Sequence, residues 1–336
     1  MIADMANKRY SDTRPSDRGC SIYGPLAIFS GTANRPLTQE ICDYLDMPPG
    51  KVDIFQFPNS NTFVRLNESV RGKDVFVVQP TGAPANDNLM ELLIFIETLR
   101  RDSAARITAV IPYYGYGRTD KKDQPRVPVT ARLVADLITT AGADRILTVD
   151  LHAGQIQGFF TIPTDELTAY HPMVEYFQKK ALTNAVVVAP DIGSVRRSRN
   201  FAAALDLPLA IIEKRRSLAD GRATQMFNII GHVEGKDAIL VDDEIDTAGT
   251  IVKAAEFLHS AKAHDVYGAA THAVFSEPAA ERIRRSEFTE LVVTNTLHLP
   301  PEKLCDKITV VPMGDLLGEV ILRIHKGLSV GAIFNE

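Results

Sequence analysis

The chain alternates short apolar runs with longer segments in which apolar residues recur every three or four positions. The runs that predict strands are LAIFSG, VDIFQF, DVFVVQP, RITAVIPY, RILTVD, AVVVAP, LAIIEK, AILVDD, DVYGAATHAV, ELVVTNT and ITVVPM. Helical periodicity is found between them, as in NDNLMELLIFIETLRRDS, VTARLVADLITTAG, SVRRSRNFAAALD and TIVKAAEFLHSA. Apolar strands that alternate with helices predict an α/β fold with mostly parallel sheets flanked by helices.

One strand–loop–helix–strand pattern occurs twice. The first copy, DVFVVQPTGAPANDNLMELL, starts at Asp74, and the second, DAILVDDEIDTAGTIVKAAEFL, starts at Asp237. Such a repeat predicts two similar α/β domains. Ligands of these sheets bind beyond the carboxyl ends of the strands, so the loops after the strands are the places to search for chemistry.

Composition narrows the class of protein. The chain has 336 residues, 45% hydrophobic and 24% charged, which suits an ordinary globular protein of about two domains. The net charge of −5 argues against nucleic acid as a partner. No apolar run approaches the roughly 18 residues of a membrane span. The scattered Cys20, Cys42 and Cys305 suggest free thiols in a reducing, cytoplasmic compartment. Residues 1–23 are polar and are expected to form a disordered extension.

The segment VDDEIDTAGT combines acids with a small, hydroxyl-rich turn. Asp242 and Asp243 follow an apolar run, where two adjacent carboxylates lose solvation and repel each other unless a cation or a polyhydroxylated ligand binds them. Thr247–Thr250 then lead into a helix, whose first N–H groups favour an anion such as phosphate. The pattern therefore predicts a sugar-phosphate site, with a helix cap carrying spare acids as the alternative.

Two further strand exits carry candidate ligands. Asp150 and His152 follow the run RILTV and could bind a metal or a phosphate, although a structural histidine is the alternative. The neighbouring Phe159 and Phe160 are expected to pack in the core. Asp191, in VVVAPDIG, is either a helix cap or a ligand of Mg²⁺, which commonly takes one or two protein carboxylates. His152 and Asp191 could share a Mg²⁺ ion.

Basic residues are concentrated in two segments, PYYGYGRTDKKDQPR and IIEKRRSLADGRA. On an acidic chain this concentration suggests a polyphosphate site, with a solvated run of charges as the alternative. The second segment is expected to be a mobile loop, suited to closing on transferring phosphates. Together with the sugar-phosphate turn, these segments fit phosphoryl-type transfer from a nucleotide to a sugar phosphate.

The chain resembles the ribose-phosphate pyrophosphokinase family from about residue 24 onward. The segments that carry the resemblance, in family order, are ESVRGKDVFVVQP, MELL, VIPYYGYGRTDKK, VDLHAGQIQGFF, APDIG, KRR and VDDEIDTAGT. Phosphoribosyltransferases share only the acidic TAGT type of motif. The resemblance implies two tandem phosphoribosyltransferase-type domains, over 24–167 on the nucleotide side and 168–325 on the ribose 5-phosphate side. Residues 326–336 would return to the first domain.

The resemblance also implies transfer of a diphosphoryl group from ATP to ribose 5-phosphate, with Mg²⁺ as cofactor, in homo-oligomers that are hexamers built from dimers. It implies catalytic roles for Lys214 and Arg216. The residues implied at the nucleotide are Phe57, Asn59, Asn61, Arg118, Thr119, Asp123 and His152. Those implied at ribose 5-phosphate are Asp242, Asp243, Asp246, Thr247, Ala248, Gly249 and Thr250. The metal ligands would be His152, Asp191 and Asp150. A site for activating phosphate and inhibiting ADP would use Ser69, Arg71, Ser103, Arg126 and Ser329.

The chain departs from the family pattern at several positions. The adenine-binding segment, usually F-S/A-D-G-E, reads FPNSN here, so that Asn59 and Asn61 replace acids. Amides donate as well as accept hydrogen bonds, whereas carboxylates only accept them. A nucleotide donor with a base other than adenine is therefore an alternative to ATP. Thr119 replaces a usual Gln, and Gly331 a usual Ser. The alternatives are a pyrophosphokinase with another nucleotide donor, a non-catalytic regulatory subunit, and a phosphoribosyltransferase.

Overall fold

The computed structural model describes residues 23–219 and 222–334. The extension expected over residues 1–23 lies, apart from Tyr23, outside these residues. The described chain forms two compact units, each with its own sheet. In the described ranges, no helix is long and apolar enough to cross a membrane.

The first unit is built around a parallel sheet. Its strands are β1 (Leu26–Ser30), β2 (Val52–Gln56), β3 (Thr62–Leu66), β4 (Asp74–Val78), β5 (Arg106–Ile111), β6 (Arg145–Val149) and β7 (Thr164–Leu167). The sheet has the order β1-β4-β5-β6-β7, with all neighbours parallel, and β2 and β3 form a separate antiparallel hairpin. Its helices are α1 (Arg35–Tyr44), α2 (Ala85–Arg101), α3 (Thr130–Ala141) and α8 (Gly314–Lys326).

The second unit contains a larger sheet. Its strands are β8 (Ala185–Ala189), β9 (Leu209–Ala219), β10 (Arg222–Ile230), β11 (Asp237–Ile245), β12 (Val266–Ala273), β13 (Glu290–Thr294) and β14 (Ile308–Val311). The order is β10-β9-β8-β11-β12-β13-β14, and among the described strands of this sheet only the β9–β10 pair is antiparallel. Its helices are α4 (Tyr170–Lys180), α5 (Val195–Leu205), α6 (Gly249–Ser260) and α7 (Ala279–Arg284).

The strand order of the second sheet reverses between β8 and β11. From β8 the chain moves through α5 to β9 on one side, whereas β11, β12, β13 and β14 extend on the other side. The loops that leave β8 and β11 therefore diverge, and a crevice opens at their carboxyl ends. In parallel α/β sheets, this is where ligands bind.

The repeated sequence pattern corresponds to a repeated structural unit. β4, α2 and β5 form one parallel strand–helix–strand unit, and β11, α6 and β12 form the other. Each begins at the aspartate that opens its sequence copy, Asp74 or Asp237. The prediction of two α/β halves is confirmed at the level of topology.

The last helix belongs to the first unit, which corrects the boundary expected after residue 325. The second unit ends at Val311, and the chain from Pro312 onward is part of the first unit. α8 packs closely on α1, since a Cβ at Gly318 would lie 2.6 Å from Tyr44 Cδ1. The Tyr44 hydroxyl also donates to Glu319 Oε2 at 2.8 Å. The return to the first unit therefore includes the whole of α8.

A buried ion pair fixes the end of α8 to the sheet. Arg106 binds Asp74 through two hydrogen bonds of 2.8 and 2.6 Å, and it also donates to the Ile324 carbonyl at 3.1 Å. His325 Nδ1 lies 2.8 Å from Asp74 Oδ2. The Asp74 side chain is fully buried. These contacts satisfy a carboxylate that would otherwise be costly to bury.

Candidate functional site

The acidic residues of β11 lie beyond the point at which the neighbouring strand β8 ends. β11 pairs with β8 only as far as Leu240, but with β12 as far as Ile245. Asp242 and Asp243 thus remain in the strand and stand beyond the end of β8. Because β12 continues to supply partners, the strand runs two residues past the predicted segment AILVDD. The acids lie at the reversal of strand order, where a ligand is expected.

Carboxyl groups are crowded at this point. Burial raises the pKa of Asp242, and the neighbouring Asp243 and Asp191 raise it further. The backbone N–H of Asp243 donates to Asp242 Oδ1 at 2.9 Å, and this hydrogen bond lowers the pKa of Asp242. The structure therefore favours a proton, a hydroxyl donor or a cation beside the Asp242 carboxyl group.

An arginine from α5 balances part of this charge. Arg197 Nη1 lies 3.1 Å from Asp243 Oδ1, and the two side chains are 28% and 10% exposed. α5 follows β8 directly, so its first turn reaches across the reversal to β11. Arg197 is not among the residues predicted for the site, although it lies in the basic helix start SVRRSRN.

Asp191 lies between β8 and α5 and stabilises the start of the helix. Its Oδ1 accepts a hydrogen bond from the Ser194 backbone N–H at 3.0 Å, and the Ser194 hydroxyl donates to the Asp191 carbonyl at 3.0 Å. The N-cap of α5 is Ser194, which makes no side-chain cap hydrogen bond among the described residues, so Asp191 holds the turn before the helix rather than capping the helix as predicted. Its role as a metal ligand stays a prediction.

The TAGT turn joins β11 to α6. Ala248 adopts a left-handed conformation with φ 59°, which is costly for a residue with a side chain and is typical of ligand-binding turns. α6 begins at Gly249, and among the described residues no side chain caps it. The first N–H groups of α6 therefore remain suited to an anion, and Asp246, Thr247 and Thr250 surround this position in the chain.

In the first unit, the loops after β5 and β6 lie side by side. A Cβ placed on Gly117 would lie 3.6 Å from His152 Cβ, so the segment carrying Arg118 and Thr119 adjoins the exit of β6. Arg118, Thr119, Asp123 and His152 are exposed. Asp150 has φ 38°, and its N–H donates to the Leu167 carbonyl at 2.9 Å. These loops form an exposed polar surface at the carboxyl edge of the first sheet.

Two internal contacts hold these loops in place. The Gln155 amide donates to the buried Asp120 at 2.6 Å. Tyr114 and Phe160 are both buried, with ring centroids 5.6 Å apart, while Phe159 is partly buried against the same core. The expected packing role of the two phenylalanines is confirmed. Asp120 was missed because its carboxylate is indistinguishable, in sequence, from the exposed acids near it.

The β2–β3 hairpin presents aromatic residues beside two amides. Phe57 is 44% exposed, and its ring centroid lies 5.2 Å from that of Phe55 and 5.6 Å from that of Phe63. The turn is closed by a bond of 2.9 Å from the Phe57 N–H to the Asn61 carbonyl. Asn59 Oδ1 accepts from the Asn61 N–H at 3.2 Å. The hairpin thus presents the exposed ring of Phe57, with Asn59 and Asn61 in the turn that follows it.

Comparisons with known proteins identify the family. The N-terminal domain of ribose phosphate pyrophosphokinase matches residues 26–142, and the phosphoribosyl synthetase-associated domain matches residues 218–335. A ribose-phosphate pyrophosphokinase of Caldanaerobacter subterraneus is 53% identical over 92% of this chain and 98% of its own length. The chain belongs to the ribose-phosphate pyrophosphokinase family.

Other members of the pyrophosphokinase family agree with this assignment. The relative from Halalkalibacterium halodurans is 49% identical over 92% of this chain and 98% of its own. The crystal structure of phosphoribosylpyrophosphate synthetase from Mycobacterium smegmatis superposes with a TM-score of 0.86 at 43% identity, covering 90% of this chain and all of that one. The resemblance, the α/β fold class and the assignment to a family of transferases are confirmed.

The pyrophosphokinase residues Lys214 and Arg216 lie in β9, opposite Phe227 and Gln225 of β10. The prediction that this basic segment is a loop is wrong, because its backbone pairs with β10. The side chains of residues 214–227 lie outside the described part of the structure, so the catalytic roles of Lys214 and Arg216 stay predictions.

The residues expected at a regulatory site of the pyrophosphokinase all lie in the first unit and are exposed: Ser69, Arg71, Ser103, Arg126 and Ser329. The Gly72 N–H donates to the Ser103 carbonyl at 2.9 Å, which brings Arg71 close to the end of α2. The Ser329 carbonyl accepts from Arg323 at 3.2 Å. Their regulatory role stays a prediction.

Proposed function

We propose that the chain transfers the β,γ-diphosphoryl group of ATP to ribose 5-phosphate, giving 5-phosphoribosyl 1-diphosphate and AMP. The anomeric hydroxyl attacks the β-phosphorus in line, and a bond forms between its oxygen and that phosphorus. The bond from the β-phosphorus to the α,β-bridging oxygen breaks, AMP departs, and the hydroxyl proton is released. Membership of the family supports this reaction.

The geometry that carries the proposal lies in the second unit. The uncapped start of α6 would bind the 5-phosphate, and Asp242 and Asp243 would accept hydrogen bonds from the ribose hydroxyls. Both features stand at the same edge of one sheet, next to the reversal of strand order. A phosphorylated pentose carries both a phosphate and hydroxyl groups, which are the two kinds of group that these features would bind.

Residues outside this turn would act on the nucleotide. Lys214 and Arg216 would stabilise negative charge on the transferring group. Phe57 offers a ring on which a base can stack, and Arg118 a guanidinium for its phosphates. The hairpin and the loop that carry Phe57 and Arg118 belong to the first unit.

The acids fit a magnesium ion. Carboxylate oxygens are hard ligands of the kind Mg²⁺ prefers, and the pKa of Asp242 is raised first by burial and then by the neighbouring Asp243, so a cation beside this carboxyl group would be favourable. We propose Asp191 as a direct ligand in the second unit, with Asp150 and His152 as the candidates in the first. Bound Mg²⁺ would neutralise charge on the phosphates of the nucleotide.

Calorimetry with ribose 5-phosphate tests the sugar-phosphate site. We expect the natural chain to bind it and the double variant Thr247→Val/Thr250→Val to bind at least about tenfold more weakly, because hydrogen bonds from hydroxyl groups to a charged phosphate are strong. The exposed Ser260, at the opposite end of α6, provides the control variant Ser260→Ala. Undiminished binding by the double variant would overturn the proposal.

A different nucleotide donor is the second candidate, and the amides of Asn59 and Asn61 favour it. An amide can donate to a ring carbonyl, whereas a carboxylate cannot. Initial rates with ATP, GTP, CTP and UTP, each with ribose 5-phosphate, compare the candidates. Higher rates with ATP would support ATP as the donor. Clearly higher rates with another nucleotide would overturn that assignment.

Activity of the purified chain distinguishes an enzyme from a regulatory subunit. We expect AMP and 5-phosphoribosyl 1-diphosphate to form without a partner protein, and the rate to fall at least about a hundredfold in Lys214→Ala, since a lost transition-state charge contact costs several kcal/mol. A phosphoribosyltransferase would instead consume 5-phosphoribosyl 1-diphosphate. Cytoplasmic location, hexamers and phosphate activation stay predictions.

A further inference from the structure

Arg282 of α7 lies against the TAGT turn, although the two are far apart in the sequence. Its Nη1 donates to the Thr247 carbonyl at 2.9 Å. The same Nη1 would lie 3.3 Å from a Cβ placed on Gly249, the first residue of α6. The guanidinium therefore lies beside the first residue of the helix to which the proposed function assigns the 5-phosphate.

The start of α6 does not by itself attract a cation. The N-terminus of a helix carries partial positive charge, which favours acids and repels arginine. Among the described residues, α6 has no acid in its first turn and no side-chain cap. A phosphate at the start of α6 would be attracted both by the first N–H groups of the helix and by the nearby guanidinium.

The hydrogen bond to Thr247 also fixes the turn. Ala248, the next residue, is held in a left-handed conformation with φ 59°. A carbonyl tied to Arg282 restrains the peptide that precedes this residue, and so restrains the direction of the N–H groups that follow it. Arg282 is exposed, so its remaining N–H groups stay within reach of a ligand.

We infer that Arg282 is a positioning residue for the 5-phosphate of the sugar substrate. It holds the turn through the Thr247 carbonyl and places a positive charge beside the phosphate at the start of α6. This inference rests on the proposed function and adds a residue from a separate helix to the sugar-phosphate site.

Kinetics and calorimetry of Arg282→Gln test the inference. We expect Kd and KM for ribose 5-phosphate to rise about tenfold, the value of a lost charge-assisted contact, with KM for the nucleotide nearly unchanged. Arg282→Lys, which keeps the charge but not the planar fork, should fall between the natural chain and Arg282→Gln. A purely structural role would move both KM values together and would not be rescued by lysine.

Arg284 supplies the matched control. It is exposed on the same helix and binds Glu281 at 2.7 Å, so Arg284→Gln removes an equal charge without touching the turn. If Arg282→Gln binds ribose 5-phosphate as tightly as Arg284→Gln, the inference is wrong and the proposed function stands. If the natural chain itself fails to bind ribose 5-phosphate, both are overturned.

Discussion

The ion pair between Arg197 and Asp243 sets the charge at the reversal of strand order. We expect Arg197→Gln to lower the free energy of unfolding by about 1–3 kcal/mol, because it leaves the largely buried Asp243 without this cation. Urea denaturation measures the change. Arg199→Gln, an exposed change on the same helix, is the control, and equal midpoints for the two variants would show that the pair adds no net stability.

The pKa of Asp242 predicts a pH dependence of stability. In the unfolded chain this carboxyl ionises near pH 3.8, whereas in the folded chain burial beside Asp243 raises its pKa. Between the two values the folded state binds more protons, so the stability contributed by Asp242 is present below pH 3.8 and is lost as pH rises through the folded pKa.

Asp242→Asn should therefore gain stability relative to the natural chain as the pH rises from about 4 toward neutral. Urea midpoints in metal-free buffer at several pH values measure the difference. Asp102→Asn, an exposed change at the end of α2, should show no such trend. A constant offset between Asp242→Asn and the natural chain would contradict the prediction.

Site residues that belong to one continuous sequence motif could be predicted from the sequence. Residues that contact this motif from another helix could not. Asp242, Asp243 and the TAGT turn form one continuous motif whose chemistry is readable from residue types and order. Arg197 and Arg282 reach the same motif from other helices. Their contacts depend on the strand order, which no local pattern specifies.

At the scale of elements, the close packing of α1 on α8 depends on small residues. Gly318→Ala places a methyl group 2.6 Å from the Tyr44 ring, and we expect it to lower the free energy of unfolding by about 1–3 kcal/mol, the usual cost of overpacking. Thermal or urea unfolding measures this. Gly158→Ala, where a Cβ meets nothing within 4 Å, is the control. Equal stability of both variants would mean that the helices separate at little cost.

The three strands that were not predicted from the sequence were missed for the same physical reason. β7 and β10 are edge strands of their sheets, and β3 belongs to the isolated hairpin. Such strands face solvent and need no continuous apolar run, as the sequence TDEL of β7 shows. The central strands β4, β8 and β11 are buried on both faces and were readable for that reason.

At the scale of the whole molecule, the last segment of the chain completes the first unit. We expect a truncation after Val311, which removes α8, to raise amide hydrogen exchange in α1 and β1, while residues 168–311 keep their protection. A truncation after Lys326 retains α8 and is the control. Increased exchange confined to residues 168–311 would contradict the observed division.

The boundary of this segment could not be predicted from periodicity. α8 follows β14 after a connection of two residues, Pro312 and Met313, which is typical of a helix that packs back on its own sheet. The contacts that place it elsewhere, such as Arg106 to the Ile324 carbonyl, join residues far apart in the chain.

The order in which the two units are completed during synthesis therefore differs from the order in which they begin. Residues 168–311 are all synthesised before α8, whereas the apolar face of α1 cannot be covered by α8 until residues 314–326 have been added. The unit whose synthesis begins first is thus the last to be completed, and a chain released after residue 311 would contain all of the second unit but only part of the first.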